Sequence, residues 1–285
     1  MKTISTIKGF RKWRNEISGS IGFVPTMGAI HDGHLSLVKK SIEICQNTIV
    51  SIYLNPTQFS PAEDLDRYPK TVDADLKKLS NFKVDSVFLP NDSEMYQKGF
   101  STQIQENILS CILEGKSRPD FFPGVITIVA KLFNIIEPTH AFFGEKDAQQ
   151  LRIIKKLVTD LNYPIKIISS PIIREKNGLA MSSRNEYLSN GELIIAATIQ
   201  HALQEGKNLI TSGERNPKII KDKITRIINS KKLLRIDYVS VADSKTLMEI
   251  SDKIEKKILI SIAVYLGEIS LIDNISYSGS QKNNV

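Results

Sequence analysis

The sequence predicts an α/β protein: a parallel, doubly wound sheet followed by a smaller α+β unit. Three observations carry that reading. Over roughly the first 170 residues, short apolar runs alternate with longer segments of helical periodicity, the pattern of repeated strand–helix units. Two of those runs, "SIGFVPTM" and "TIVSIYLN", are nearly continuous rather than alternating, as expected when both faces of a strand are covered. After about Pro171 the rhythm changes to helix candidates followed by apolar runs. A length of 285 residues suits two domains, read here as 1–171 and 172–285.

Each element has its own justification. "SIGFVPTM" is the first strand, and "GHLSLVKKSIEICQ" is a helix from about Gly33 or His34, with Leu35, Leu37, Val38, Ile42 and Ile44 on its apolar positions. "TIVSIYLN", "VDSVFLP", "THAFFGE" and "PIKIISSPII" supply further strands. "GVITIVAKLFNII" and "DAQQLRIIKKLVTDL" are the clearest helices between them. In the second unit, "NGELIIAATIQHALQEGKNLI" reads as one long helix and "PKIIKDKITRIINS" as another. The apolar runs "LRIDYVSVAD" and "KILISIAVYLGEISLIDNISY" close the chain.

Composition narrows the function. Hydrophobic residues make up 41% and charged residues 24%, the balance of a chain with a sizeable core. The N-terminus is broken by charges and lacks the apolar stretch of a signal peptide, and no run reaches the length of a membrane span. A cytoplasmic protein with no membrane partner is expected. Cys45 and Cys111 match no metal-ligand spacing and read as reduced, buried thiols. The net charge of +7 comes from lysines on helix faces without interleaved aromatics, so nucleic acid is not the expected partner.

Chemistry concentrates at strand ends. In "TMGAIHDGHLSLV", His31 and His34 lie where a strand turns into a helix, a place where unpaired N–H groups and the helix dipole favour anions. Gly28 and Gly33 permit close backbone approach there. "FFGEKDAQQL" repeats the arrangement, with Lys146 able to neutralise charge on a transferring phosphoryl group and Asp147 able to accept from ribose hydroxyls or to cap the helix. "GLAMSSRNEYLS" offers serines and Arg184 as phosphate donors, or a polar loop with a helix cap. "YLNPTQF" ends a buried strand with Asn55 and Gln58, uncharged groups suited to a hydroxyl-bearing substrate.

In this order the segments resemble the pantoate–β-alanine ligases (pantothenate synthetases), members of the HxGH nucleotidylyltransferase superfamily. The resemblance is dense through "PTMGAIHDGHLSLV", "NPTQF", "EDLDRYPKT", "GVITIVAKLFN", "FGEKDAQQL" and "GLAMSSRN", and returns in "RIDYVSVAD" and "LIDNI". It implies a Rossmann-like fold with an ATP- and pantoate-binding first domain and a smaller lid domain. It also implies ATP-dependent condensation of pantoate with β-alanine through a pantoyl adenylate, releasing pyrophosphate and then AMP. Mg²⁺ would arrive with ATP, without an assigned protein ligand, and the chain would form a homodimer through its N-terminal domain.

The resemblance also assigns residues. Met27, Gly28, Ala29, Ile30, His31, Asp32, Gly33 and His34 would form the first wall of the ATP site, with His34 as proton donor. Gly144, Glu145, Lys146 and Asp147 would hold ribose and phosphates, with Lys146 near the reacting phosphate. Ile173 would offer a backbone contact to adenine, and Met181, Ser182, Ser183 and Arg184 would close over the triphosphate. Gln58, Gln150 and Asn55 would hold pantoate, and Gln58 also β-alanine. The chain departs from the family pattern at Phe121, where a histidine is common, at Pro123, and at Ser270, where an arginine is common. Other nucleotidyl transfer, or a reduced aminoacyl-tRNA synthetase, is the alternative enzyme reading.

Overall fold

A computed structural model describes residues 1–60 and 63–278, and the chain separates into two compact units, Met1–Ile173 and Arg174–Val285. In the first unit, strands β1 (Lys2–Ile4), β2 (Ile21–Thr26), β3 (Asn47–Ile52), β4 (Ser86–Phe88), β5 (His140–Gly144) and β6 (Lys166–Ser170) form one sheet in the order β1-β4-β3-β2-β5-β6. Every pairing in it is parallel. The helices are α1 (Ile7–Arg14), α2 (Asp32–Ile44), α3 (Val72–Ser80), α4 (Asp92–Met95), α5 (Glu114–Ser117), α6 (Phe121–Ile136) and α7 (Ala148–Asp160).

The sheet is a doubly wound one, and its strand order reverses between β2 and β5. Register makes the consequence visible. β2 pairs with β3 along its full length, from Ile21↔Asn47 to Thr26↔Ile52, but with β5 only at Gly22↔His140 and Phe23↔Ala141. The two strands part before their carboxyl ends, and that divergence opens the crevice in which such sheets bind ligands. Beneath it the core is aromatic: Phe10, Phe23, Phe88, Phe133 and Phe142 are fully or almost fully buried.

β1 and α1 leave no clear mark in the apolar pattern. β1 is a three-residue edge strand of mostly exposed residues, too short to show a period, and α1 buries only Phe10 and Trp13. The helix after β2 begins at Asp32, slightly ahead of its expected start, because His31 is its cap. Cys45 is buried, but Cys111 is exposed in a short 3-10 turn, which corrects the reading of both thiols as buried. Pro123 is harmless where it stands: it occupies the first turn of α6, whose N–H groups have no partner within the helix.

The second unit packs α8 (Asn190–Ala196), α9 (Thr198–Thr211) and α10 (Pro217–Asn229) with an antiparallel sheet of β7 (Leu234–Asp243), β8 (Ile258–Leu266) and β9 (Ile269–Tyr277). The long helix expected over 190–210 is interrupted at Ala197, a turn residue with φ −60° and ψ −19° between α8 and α9. The last apolar run is a hairpin, turned at Gly267 and Glu268.

Candidate active site

The loop that leaves β2 is held in an uncommon backbone conformation. Gly28 has φ +91° and Ala29, which carries a Cβ, has φ +50°. Two N–H groups of this loop point at one buried carboxylate: Ala29 N donates to Asp75 Oδ2 at 2.9 Å and Ile30 N to Asp75 Oδ1 at 2.7 Å. Asp75 lies on α3 with no exposed surface, and it also accepts from the Thr71 hydroxyl at 3.2 Å. One turn along, Lys78 Nζ donates to the Ile30 carbonyl. Neither Asp75 nor Lys78 lies in a motif that the sequence alone makes stand out.

The two histidines then cap α2 reciprocally. Gly33 N donates to His31 Nδ1 at 3.1 Å, and His31 N donates to His34 Nδ1 at 3.4 Å, a capping box built from imidazoles. The rings lie 4.1 Å apart, centroid to centroid. A backbone N–H can only donate, so each Nδ1 must accept, and the neutral ring carries its proton on Nε2. Burial, then the ammonium of Lys146, holds the His31 imidazole down to about 4, with Lys78 adding to the effect and Asp147 and Asp32 opposing it. Burial, then His31, Lys146 and Lys78, keeps His34 well below its ordinary value. At neutral pH both rings are therefore uncharged donors through Nε2–H.

The end of β5 supplies the second wall. Lys146 Nζ pairs with Asp147 Oδ1 at 3.3 Å. Asp147 stands at the cap position of α7 without a side-chain cap bond, so its carboxylate does not serve as a cap. Glu145 N donates to the Ser170 carbonyl at 2.9 Å and its carboxylate accepts from Ser169 Oγ at 3.0 Å, joining the ends of β5 and β6.

The third component is a buried cluster of amides, and its hydrogen bonds can be oriented without ambiguity. The Gly124 carbonyl only accepts, so the Asn55 atom 3.3 Å from it is Nδ2, which also donates to Gln58 Oε1 at 2.9 Å. Asn55 Oδ1 accepts from Tyr96 Oη at 2.7 Å and Thr57 Oγ1 at 3.1 Å. With its oxygen engaged, Gln58 presents Nε2 as a donor. Asn55 is fully buried and Gln58 nearly so. Arg118 grips the Gln58 carbonyl at 3.3 Å while paired with Glu63 at 2.6 Å and Glu114 at 2.8 Å, and its guanidinium stacks 3.8 Å from the Phe121 ring centroid. Gly124 is required here because a Cβ would come within 2.2 Å of the Thr57 carbonyl oxygen.

Adjacent glutamines on α7 divide the work. Gln149 is buried, accepts from Glu114 N at 3.1 Å, and donates to the Leu109 and Ile112 carbonyls at 2.6 and 2.7 Å. The half-buried Gln150 amide has no hydrogen-bond partner among the described residues. In the second unit, Ser182 caps a 3-10 turn over Ser183–Tyr187 by accepting from Arg184 N at 3.3 Å, and Asn185 donates to the Ala180 carbonyl at 3.1 Å. Met181 is half-buried, as is Ile173 at the end of the first unit. Among the described residues no group of three or more His, Cys, Asp or Glu side chains could hold a metal ion.

The model of the pantoate-beta-alanine ligase family matches residues 2–276. The chain belongs to that family. A pantothenate synthetase of Thermosipho africanus is 47% identical over 278 residues, covering 96% of this chain and 99% of the relative. One from Fervidobacterium nodosum is 48% identical over 275 residues, covering 96% and 98%. The crystal structure of the Thermus thermophilus enzyme superposes with a TM-score of 0.92 at 37% identity, covering 96% of this chain and 99% of that one. A Francisella tularensis pantoate-beta-alanine ligase, solved with beta-gamma ATP and beta-alanine, matches with a TM-score of 0.79 at 35% identity, covering 96% and 97%. The chain is a ligase of this family, with its parallel sheet and smaller antiparallel sheet.

Proposed function

We propose that the crevice at the end of β2 and β5 activates pantoate with ATP and passes the product to β-alanine. A carboxylate is a poor acyl donor because its leaving group would be oxide. Attack of the pantoate carboxylate on the α-phosphorus forms a phosphorus–oxygen bond and expels pyrophosphate. The β-alanine amine then adds to the acyl carbon, loses a proton, and expels AMP, leaving the amide. Such chemistry needs alignment and charge stabilisation more than a covalent nucleophile. The single observation that carries the reading is the pair of imidazoles anchored through Nδ1 and donating through Nε2.

The roles follow from chemistry already described. His31 and His34 donate Nε2–H to phosphate oxygens, and Lys146 offsets charge at the reacting phosphorus. His34 keeps the proton-donor role that its motif implies, and a bound triphosphate brings negative charge that opposes the burial and lysine effects on its ring. Met27 and Gly28 line the ATP wall, and Asp32, Gly33 and Gly144 to Asp147 complete it. Ala29 and Ile30 contribute surfaces other than their N–H groups, which Asp75 occupies. Ile173 and Met181 to Arg184 keep the nucleotide role implied by their motifs, with Arg184→Ala expected to weaken ATP handling in steady-state kinetics. Mg²⁺ arrives on the ATP phosphates, which supply oxygens to a hard cation that retains much of its own water.

Gln58 donates to oxygens of pantoate or of the β-alanine carboxylate, and Gln150 supplies a further amide; Asn55 fixes Gln58. The first domain, read from the sequence as 1–171, is taken to hold ATP and pantoate, and the second, 172–285, to act as a lid. A cytoplasmic homodimer is the expected form, testable by sedimentation. The deciding experiment is an assay for AMP formation. Product is expected only with ATP, pantoate and β-alanine together; pyrophosphate release driven by a proteinogenic amino acid in place of pantoate overturns the reading.

A further inference from the structure

We infer that Asp75 is a positioning residue that presets both imidazoles by fixing the backbone in front of them. The inference rests on the reading that His31 and His34 serve the ATP phosphates. It begins with the place of Asp75, a fully buried carboxylate whose two oxygens take the N–H groups of consecutive residues, Ala29 and Ile30. Filling the space under the loop would need only an apolar side chain. A buried carboxylate with one oxygen for each of two adjacent N–H groups instead fixes the orientation of both peptide planes.

The loop does not hold this shape by itself. Ala29 has φ +50°, a left-handed conformation unfavourable for any residue with a Cβ. Lys78, on the same face of α3, binds the Ile30 carbonyl, so the stretch from Ala29 to Ile30 is held through both its donors and its acceptor. The next N–H in the chain is that of His31, which donates to His34 Nδ1, and the ring of His31 accepts from Gly33 N. A rotation of the Ile30–His31 peptide would therefore break the bond that selects the His34 tautomer. The path runs from Asp75 to the 29–30 backbone, from there to His31 N–H, and from that to the His34 ring.

The clamp also explains how this loop can bind phosphate. In a loop that cradles phosphate with its own amides, such N–H groups would face the ligand. Here the N–H groups of Ala29, Ile30, His31 and Gly33 all have acceptors within the protein. With these four engaged, the ring Nε2–H groups are the donors whose geometry depends on the clamp.

The test uses the full chain labelled with ¹⁵N-histidine; it has four histidines, and His31→Asn and His34→Asn variants assign the two of interest. In the resting parent both rings should show the Nε2–H tautomer. Asp75→Asn keeps the volume but replaces one acceptor with an NH₂ group. It is expected to lose the fixed tautomer at His34 and to titrate nearer the ordinary imidazole range. Its kcat for pantoate-dependent pyrophosphate release should fall roughly 10²-fold, as for a small misplacement of a reacting group, with the pantoate KM little changed. Thr71→Val, which removes one bond to the carboxylate, should move both readouts in the same direction by less, and it serves if Asp75→Asn does not fold. A folded Asp75→Asn with unchanged histidine tautomers and kcat overturns the inference. If the parent released no pyrophosphate with pantoate, the functional reading would fail, while the histidine spectra of the resting protein would still decide the clamp.

Discussion

The histidine loop and the amide cluster sit in the same unit yet arrange their donors in opposite ways. Around His31 and His34 the protein engages four of its own backbone donors, through Asp75 and the imidazole capping box, and leaves the two ring Nε2–H groups outward of that network. Around Gln58 it uses up acceptors, through Asn55, Tyr96 and Thr57, and leaves an amide NH₂. On the proposed reading one region shapes donors beside Lys146 and Lys78 for a highly charged group. On the proposed reading the other keeps a neutral donor for a small polar acid, while its cation, Arg118, is paired with Glu63 and Glu114. The contrast teaches that binding and activation can be altered separately.

The largest effect should come from the charged side. His34→Ala or Lys146→Ala is expected to slow pantoate-dependent pyrophosphate release about 10²- to 10³-fold, as for loss of one preorganised charge-stabilising donor. Single-turnover mixing with labelled ATP reads this directly, and a rate within a few fold of the parent would remove that residue from the chemistry. On the neutral side, Gln58→Ala should raise the pantoate KM by roughly tenfold, the scale of one lost hydrogen bond of about 1.5 kcal/mol. The ATP KM should stay in place; equal changes in both would erase the division between the two regions.

A sharper cut lies between neighbours. Gln150→Ala should weaken pantoate handling and leave the thermal midpoint where it was. Gln149→Ala should do the reverse, because it strands Glu114 N and two carbonyls in a buried setting, about 1–3 kcal/mol of destabilisation for a group left unsatisfied. Denaturant melts and steady-state kinetics on the two variants check this pair. Nothing in "DAQQL" tells them apart: they are adjacent, chemically identical, and separated only by about 100° of helix rotation. The buried face becomes visible once α5 and its preceding turn are seen against α7.

What the sequence made legible was local. The apolar runs located five of the six parallel strands, and the turn between a strand and a helix made the two histidines stand out. What stayed hidden was the long-range support. Asp75 lies more than forty residues from the loop it holds, with contact separations of 45 and 46. Tyr96 and Arg118 reach Asn55 and Gln58 across 41 and 60 residues. Periodicity reports which face of an element is buried, but carries no information about which distant backbone N–H a buried carboxylate will meet. The interruption at Ala197 stayed hidden for the opposite reason: it is confined to one residue and leaves no trace in the apolar pattern.

The smallest effect is a pH dependence that separates capping from titration. Burial and nearby lysines depress both imidazoles, His31 to about 4, so the unfolded chain binds more protons than the folded one from there up to about 6.5. Stability should rise with pH across that window and fall as acid is added. His31→Asn keeps a side-chain acceptor for Gly33 N, since asparagine is a good N-cap, but removes one titrating group. Urea melts at pH 8 should therefore place the variant close to the parent, whereas at pH 5 the variant should have lost less stability. A parallel acid slope in both proteins would mean that the His31 ring is solvated and charges freely, and the picture of neutral imidazole donors would fall with it.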